Sequence, residues 1–438
     1  MSTRFKRSIR RLADIRDQEW SAVLWSFAYF FCLLCGYYVL RPIRDEMGIQ
    51  AGTGNLAWLF TATFVAMLAV VPLFGWVSSR FSRRRFLPYA YLFFVANLLL
   101  FFFLFHEKVA LDETRKAFFV WVSVFNLFVV SVFWSFMADL YDTAQARRLY
   151  GFIAAGGSAG AIAGPAVSTL LAVPLGPVNL LLVSAGFLLA AMGCIVRLSK
   201  WGAAHHGGRA SADDRPVGGG LFEGIKLVLV SPYLMMICAY VVLYSILSTF
   251  LYFEQQQIVK SAIKASAQRT QLFAAADLVV NIITLSAQVL LFSRVLRWLG
   301  LAGGLVLIPL LSVPGFIALG IAPTLVVLMT FGVLRRAAEF AICKPARETL
   351  FNVLSREEKY KAKNFMDTAV YRAADMTSGW MFQGLQAIGF TLSGIAYLAA
   401  PATLVWAGIG VWLTRRHRQL TQEHEERTAT PIAQGQPT

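Results

Sequence analysis

The chain has 438 residues, of which 57% are hydrophobic and only 15% charged, with a mean hydropathy of +0.60. Soluble domains average about 45–50% apolar and about 25% charged, so an ordinary soluble domain is excluded and a polytopic membrane protein is expected. The net charge of +16 would suggest a nucleic-acid partner for a soluble chain. Here the basic residues sit in short loops between apolar runs, which makes them a topology signal; the expected partners are the lipid bilayer and a small solute, not nucleic acid.

In chain order, a basic start from Arg4 to Arg16 leads into an apolar run too long for a signal-peptide core, with no small-residue cleavage site. Twelve apolar segments follow, at 20–40, 55–77, 86–105, 117–138, 151–173, 179–198, 233–253, 271–291, 299–319, 324–342, 368–388 and 392–413. Each approaches the roughly 20 residues a helix needs to cross a bilayer. The widest polar gap, 199–220, is rich in glycine, histidine and charge and divides the segments six and six. The expected organisation is an N-terminal segment 1–19, a six-helix bundle 20–198, a linker 199–232, a second bundle 233–413 and an irregular polar tail 414–438.

If the N-terminus is cytoplasmic, 30 of the 40 Lys and Arg fall on that side, 8 fall outside and two lie within segments. That asymmetry puts both termini, and the linker, in the cytoplasm. A bacterial inner membrane is the expected location, with the protein as a monomer. The five cysteines fall in or beside apolar segments and give no disulfide framework. Cys32 and Cys35 share a helix face, but no histidine lies near them in sequence, so they read as small membrane residues rather than a metal site. No H-E-x-x-H or G-x-S-x-G set is present, and neither an enzyme nor a cofactor is expected.

Segment one closes on Tyr37-Tyr38-Val39-Leu40-Arg41-Pro42-Ile43-Arg44-Asp45-Glu46. Tyr37, Arg41, Arg44 and Asp45 share a helix face. A guanidinium at a bilayer centre costs about 2.5–3.5 kcal/mol on insertion scales, so Arg41 and Arg44 require water, an acid or an anionic solute. The competing reading is an ordinary helix end, with arginines at the headgroups and Pro42 as a stop. The positive-inside argument disfavours that reading, because it places this end outside. Further charges at membrane depth are Glu254 in segment seven, Asp277 in segment eight, Arg336 and Glu339 in segment ten, and Arg372 and Asp375 in segment eleven. Arg336–Glu339 and Arg372–Asp375 are spaced to pair on one helix face. Four interior arginines suit an anion with phosphate-like oxygens, and Asp45, Glu254, Asp277, Glu339 and Asp375 are candidate coupling or cavity acids.

Twelve segments in two halves with both termini inside resembles the major facilitator plan. The loop Gly75-Trp76-Val77-Ser78-Ser79-Arg80-Phe81-Ser82-Arg83-Arg84 is similar to that superfamily's G-x-x-x-D-R-x-G-R-R signature, with Ser79 in place of the acid and Ser82 in place of the glycine. The resemblance implies an all-α fold of two six-helix bundles and an alternating-access carrier. It also implies a central cavity lined by segments one, four, seven and ten, with gating through Gly75, Arg80 and Arg84. In segment five Gly156, Gly160 and Gly164 recur every four residues, a stripe for close helix packing. Gly160 to Pro165 also resembles the antiporter motif G-x-x-x-G-P, which gives Gly160, Gly164 and Pro165 a packing or gating role.

Several stretches resemble the nucleotide (ATP/ADP) antiporters of plastids and intracellular bacteria. The family run L-[RK]-x-x-[KR]-D is matched by Leu40-Arg41-Pro42-Ile43-Arg44-Asp45. Its W-x-F…E-A-K-R-F-Y is similar to Trp134-Ser135-Phe136 and Gln145-Ala146-Arg147-Arg148-Leu149-Tyr150, and its seventh-helix acid to Glu254. The pattern K-E-x-x-[FY]-x-x-L resembles Arg347-Glu348-Thr349-Leu350-Phe351-Asn352-Val353-Leu354, and K-x-K-x-K-x-x-x-D resembles Lys359, Lys361, Lys363 and Asp367. Gln145 departs from the family acid and Ile258 from its lysine. The resemblance implies exchange of an anionic phosphorylated metabolite, with Tyr37, Arg41, Arg44, Arg336, Arg372, Lys361 and Lys363 as substrate contacts. Lys359, Lys361 and Lys363 would gate the cytoplasmic mouth or attract the anion to it. The alternatives are a proton-coupled carrier of an unrelated solute and a non-transporting receptor.

Overall fold

The computed structural model describes residues 15–80, 83–205, 221–290 and 292–429, and they are almost wholly helical. The residues at 1–14 and 430–438, and most of the 199–220 gap, lie outside the described set. Ten of the helices are long and apolar enough to cross a membrane. The two expected segments missing from that set, 324–342 and 368–388, are helical but interrupted. They carry Arg335, Arg336 and Glu339, and Arg372 and Asp375, and each contains a π-helical turn, Glu339–Cys343 and Met366–Val370. Charge and a widened helical turn together take these helices out of the simple apolar class, and π turns occur often at functional sites.

The chain divides into two compact units. The first comprises the described residues of Met1–Asp213 together with Val259–Asn281. Its helices are α1 (Trp20–Gln50), α2 (Leu56–Arg80), α3 (Arg83–His106), α4 (Leu111–Leu140), α5 (Thr143–Leu175) and α6 (Leu180–His205). It also holds the end of α8 (Pro232–Ala262) and the greater part of α9 (Ser266–Leu290). α1 runs unbroken through Pro42 to Gln50, so the proline is not a stop. α3 explains the solvent. Leu87, Tyr91, Phe94, Leu98, Phe101 and Phe105 are buried, while Tyr89, Leu92, Phe93, Leu100 and Phe103 stand exposed on the other side. A helix apolar all round is at rest only in a protein core or in lipid. In its packing the hydroxyls of Tyr29 and Tyr91 are paired at 2.6 Å.

α5 lies directly on the backbone of α1. A Cβ at Gly160 would stand 2.4 Å from the Phe31 carbonyl oxygen, and one at Gly164 2.6 Å from that of Cys35. The four-residue glycine stripe is therefore a contact between backbones, which lets two helices approach at van der Waals distance without a side chain between them.

The second unit comprises the described residues of Asp214–Ile258 and Ile282–Thr438. After α7 (Leu221–Val230) it contains most of α8, the end of α9, α10 (Phe292–Ile321), α11 (Leu325–Ala338), α12 (Lys344–Thr349), α13 (Arg356–Phe365), α14 (Tyr371–Ala387) and α15 (Leu392–Ala429). α10 packs along α15, and α7, inside the expected linker, packs along α13. α10 bends at Gly300, whose φ of +63° is open to glycine at little cost. Where composition suggests an irregular tail after Thr414, α15 continues to Ala429, with Arg416 linking to Gln419 and Glu423 along its surface.

Candidate functional site

In the first unit the end of α1 meets the start of α9 through charged side chains. Arg41 donates from one terminal nitrogen to Asp277 at 2.9 Å. One turn further on, Glu46 receives two parallel bonds from Arg269, Nε and a terminal nitrogen each at 2.7 Å. The other terminal nitrogen of Arg269 donates to the carbonyls of Ile263 and Lys264. Gln50 donates to both Glu46 and Ser266, and Gln271 and Asn281 donate to backbone carbonyls of α5 at Thr169 and Ala161.

These arginines are not equivalent. Arg269 is forked, buried and satisfied, the geometry of a structural pair. Arg41 uses a single N–H and its side chain is 23% exposed. Arg44 lies 4.2 Å over the Phe119 ring, 3.8 Å from Asp45, with its Nε unpartnered among the described residues. Tyr37 sits on the same face and stacks edge-on against Tyr38. Glu46 and Arg269 were not site candidates by sequence: the first reads as a helix-end charge and the second as a loop charge. Nothing local joins two residues 223 positions apart.

A second charged cluster lies just before α1. Glu19 accepts from Arg148, Gln145 and the Arg16 backbone N–H. Gln145, the departure from the family acid, also closes a capping box with Asp142 at the start of α5. Burial raises the Glu19 carboxyl, but the Arg148, Gln145 and Arg16 donors outweigh it and hold the group below its ordinary 4.5. A depressed native value stabilises the fold at higher pH, and that contribution disappears as pH falls through the native value. Glu19→Gln should therefore lower thermal stability near neutrality by about 1–3 kcal/mol. The gap to the wild type should close below pH ~4.5; a gap unchanged by acid would contradict the assignment.

In the second unit α8, α11, α12 and α14 gather charge around Tyr244. The guanidinium carbons of Arg335 and Arg347 lie 5.4 and 5.8 Å from the centre of its ring. Arg335 donates to the Ser248 hydroxyl at 2.8 Å. Arg372 lies 3.6 Å from Asp375, and Asp375 also accepts from Ser245 and Thr249. Glu339 reaches Arg347 at 3.7 Å, and Arg336 is half-buried. Glu254, further along α8, is buried with Oε1 unpartnered among the described residues. Of the basic run, Lys363 pairs with Glu348 at 2.5 Å, Lys359 donates to Asn352 at 3.0 Å, and Lys361 is half-buried. Gly75, Arg80 and Arg84 fall in α2 and α3, with side chains outside the described residues; Pro165 is buried inside α5. Among the described residues no cluster of His, Cys, Asp and Glu could hold a metal ion.

The family model of the Major Facilitator Superfamily matches residues 10–342. No curated protein sequence matches the chain. Among solved structures, an auto-inhibited POT family peptide transporter is similar with a TM-score of 0.64 at 12% identity, covering 90% of this chain and 97% of its own. The nucleoside transporter NupG is similar with a TM-score of 0.62 at 12% identity, covering 93% and 99%. A bacterial homolog of the human lysosomal transporter Spinster, in an inward-facing and unoccupied conformation, scores 0.54 at 12% identity over 93% and 97%. At such identity these likenesses speak to the fold alone. The family match spans well over half of the sequence, and it joins helices that are apolar on every side to charged side chains held within both units. This chain therefore belongs to the Major Facilitator Superfamily and is an integral, multi-pass secondary transporter working by alternating access rather than an enzyme.

Proposed function

We propose that the transporter exchanges a small anionic phosphorylated metabolite, with a nucleotide of the ATP/ADP kind as the leading candidate. The observation that carries this reading is the unused donor capacity of Arg41 and Arg44. A guanidinium has five N–H donors in a planar fork; among the described residues Arg41 commits one to Asp277, and Arg44 has no acid closer than 3.8 Å. Arg269, a few residues away in the same unit, is filled. A phosphate group would complete the fork of Arg41 and compete with Asp277 for it. The ordered resemblance from Leu40 to Asp367 to the nucleotide antiporters supports the same substrate class.

In this reading segments 324–342 and 368–388 complete twelve spans in two bundles, 20–198 and 233–413. Both termini are cytoplasmic and one copy suffices. Segments one, four, seven and ten line the solute path, and Lys359, Lys361 and Lys363 stand at its cytoplasmic mouth. One observation favours a second reading. The buried carboxyl of Glu254, its Oε1 unpartnered among the described residues, suits proton-coupled movement of a different solute, since an acid at membrane depth is tolerated more readily when it can neutralise itself.

Thermal unfolding of the purified chain with a panel of nucleotides and phosphorylated metabolites tests the proposal. A ligand at 100 times its dissociation constant adds about 2.7 kcal/mol to stability. Stabilisation by phosphorylated solutes and not by their dephosphorylated counterparts is expected. The reverse pattern would move the weight to the second reading.

A further inference from the structure

We infer that Arg335 and Arg347, gathered against the Tyr244 ring, form a binding site for an oxyanion with two acidic groups, of the diphosphate type. The inference rests on the reading of the chain as an anion carrier and assigns that anion a place within the second unit.

Arg335 is only 3% exposed, yet among the described residues it has no carboxylate partner. It holds the Ser248 hydroxyl and the Tyr244 ring, and its Nε is unpartnered. Arg347 is half-buried, and its terminal nitrogen lies 3.7 Å from Glu339, beyond hydrogen-bond range. Oε2 of Glu339 is unpartnered as well. Asp375 is already committed to Arg372, Ser245 and Thr249, and Asp367 acts on Arg347 only through its charge. Neither guanidinium is held by a close, forked carboxylate among the described residues.

Arg269 in the first unit shows how this chain builds a structural arginine, with a forked carboxylate and two carbonyls. The pair at Tyr244 is built differently. A buried charge without good partners costs several kcal/mol, and such an arrangement persists where a ligand supplies the missing acceptors. A neutral solute can offer acceptors but not the compensating charge. An oxyanion offers both, because guanidinium forks match phosphate oxygens bidentately. Two forks against one ring favour an anion that offers two groups over one that offers a single group. The π turn at Glu339–Cys343 lies between the two arginines in sequence and sets the register that brings both to Tyr244. Glu339 then acts as the internal competitor: it lies beside Arg347 in the empty site and yields that place to the ligand.

The test uses the intact purified chain and inorganic pyrophosphate, with affinity read from the ligand dependence of thermal unfolding. Wild-type protein should be stabilised by pyrophosphate more strongly than by inorganic phosphate. Arg335→Gln and Arg347→Gln should each weaken pyrophosphate binding about tenfold or more, and Arg347→Lys, which keeps the charge without the fork, by less. Glu339→Gln should tighten it; a fold weakened by the substitution cannot produce that gain. Arg415→Gln, on the exposed surface of α15, should change nothing. If nucleotides stabilise the wild type but pyrophosphate does not, or if the arginine variants bind pyrophosphate as well as the wild type, this site is overturned and the anion-carrier reading stands. If neither pyrophosphate nor any nucleotide stabilises the wild type, both fall together.

Discussion

Gly160→Leu will yield almost no folded protein, while Gly151→Leu, nine residues earlier on the same helix, will fold and purify normally. Both glycines sit in α5, but their surroundings differ. A Cβ at Gly160 meets the Phe31 carbonyl oxygen at 2.4 Å and the Cys35 nitrogen at 3.0 Å, whereas one at Gly151 meets nothing within 4 Å. Rotamer changes cannot relieve the first clash, because the neighbours are backbone atoms of α1. The helices would have to separate along a seam that also includes Gly156 and Gly164. Overpacking a well-filled interior costs about 1–3 kcal/mol where side chains can yield, and more is expected where they cannot. At Gly151 the change replaces the poorest ordinary helix former with one of the best, a gain of up to about 1 kcal/mol. Monodisperse yield and thermal unfolding measure both. Equal behaviour of the two variants would show that α1 and α5 do not approach this closely.

The second large effect concerns Arg41. Arg41→Ala should abolish transport, but by itself it also leaves Asp277 buried without its cation, which costs about 3–5 kcal/mol when one partner of a buried pair is removed. The paired change Arg41→Gln with Asp277→Asn separates the two consequences. It removes both charges and keeps polar groups in place, so stability should return toward wild type while transport stays absent. Wild-type transport by the paired variant would make Arg41–Asp277 a strut and nothing more. Glu46 and Arg269 are expected to behave as that strut: Arg269→Gln should reduce stability, and Arg269→Gln with Glu46→Gln should recover much of it.

Much of the helical organisation was legible in the sequence because it depends on local periodicity and composition. Apolar runs of bilayer length mark most of the helices, and the glycine spacing in segment five marks a close helical contact. Arg372 and Asp375, three residues apart, do lie 3.6 Å from each other, as helical geometry dictates. The same logic applied to Arg336 and Glu339 meets the π turn that begins at Glu339. There Glu339 also reaches two turns onward to Arg347, at 3.7 Å.

What composition cannot encode is which distant helices meet. Arg41 and Asp277 were separate candidates, and their pairing across 236 residues depends on tertiary packing. Glu19, Glu46 and Arg269 drew no notice because each looks like an ordinary terminal charge until its partner is seen. Gln145 was read as a departure from a family acid, although the Asp142 to Gln145 spacing of a capping box was there to be found. Arg335 carries no local signal that sets it apart from Arg336 beside it.

Exchange in liposomes tests the central claim most directly. Purified protein is reconstituted, the vesicles are loaded with ADP or left without internal solute, and entry of labelled ADP is followed. Anion exchange predicts rapid entry only into loaded vesicles, lost in the Arg41→Gln, Asp277→Asn variant and unaffected by an imposed pH gradient. Entry that ignores the internal solute and follows the pH gradient, or exchange of neutral solutes with no exchange of phosphorylated ones, would contradict it.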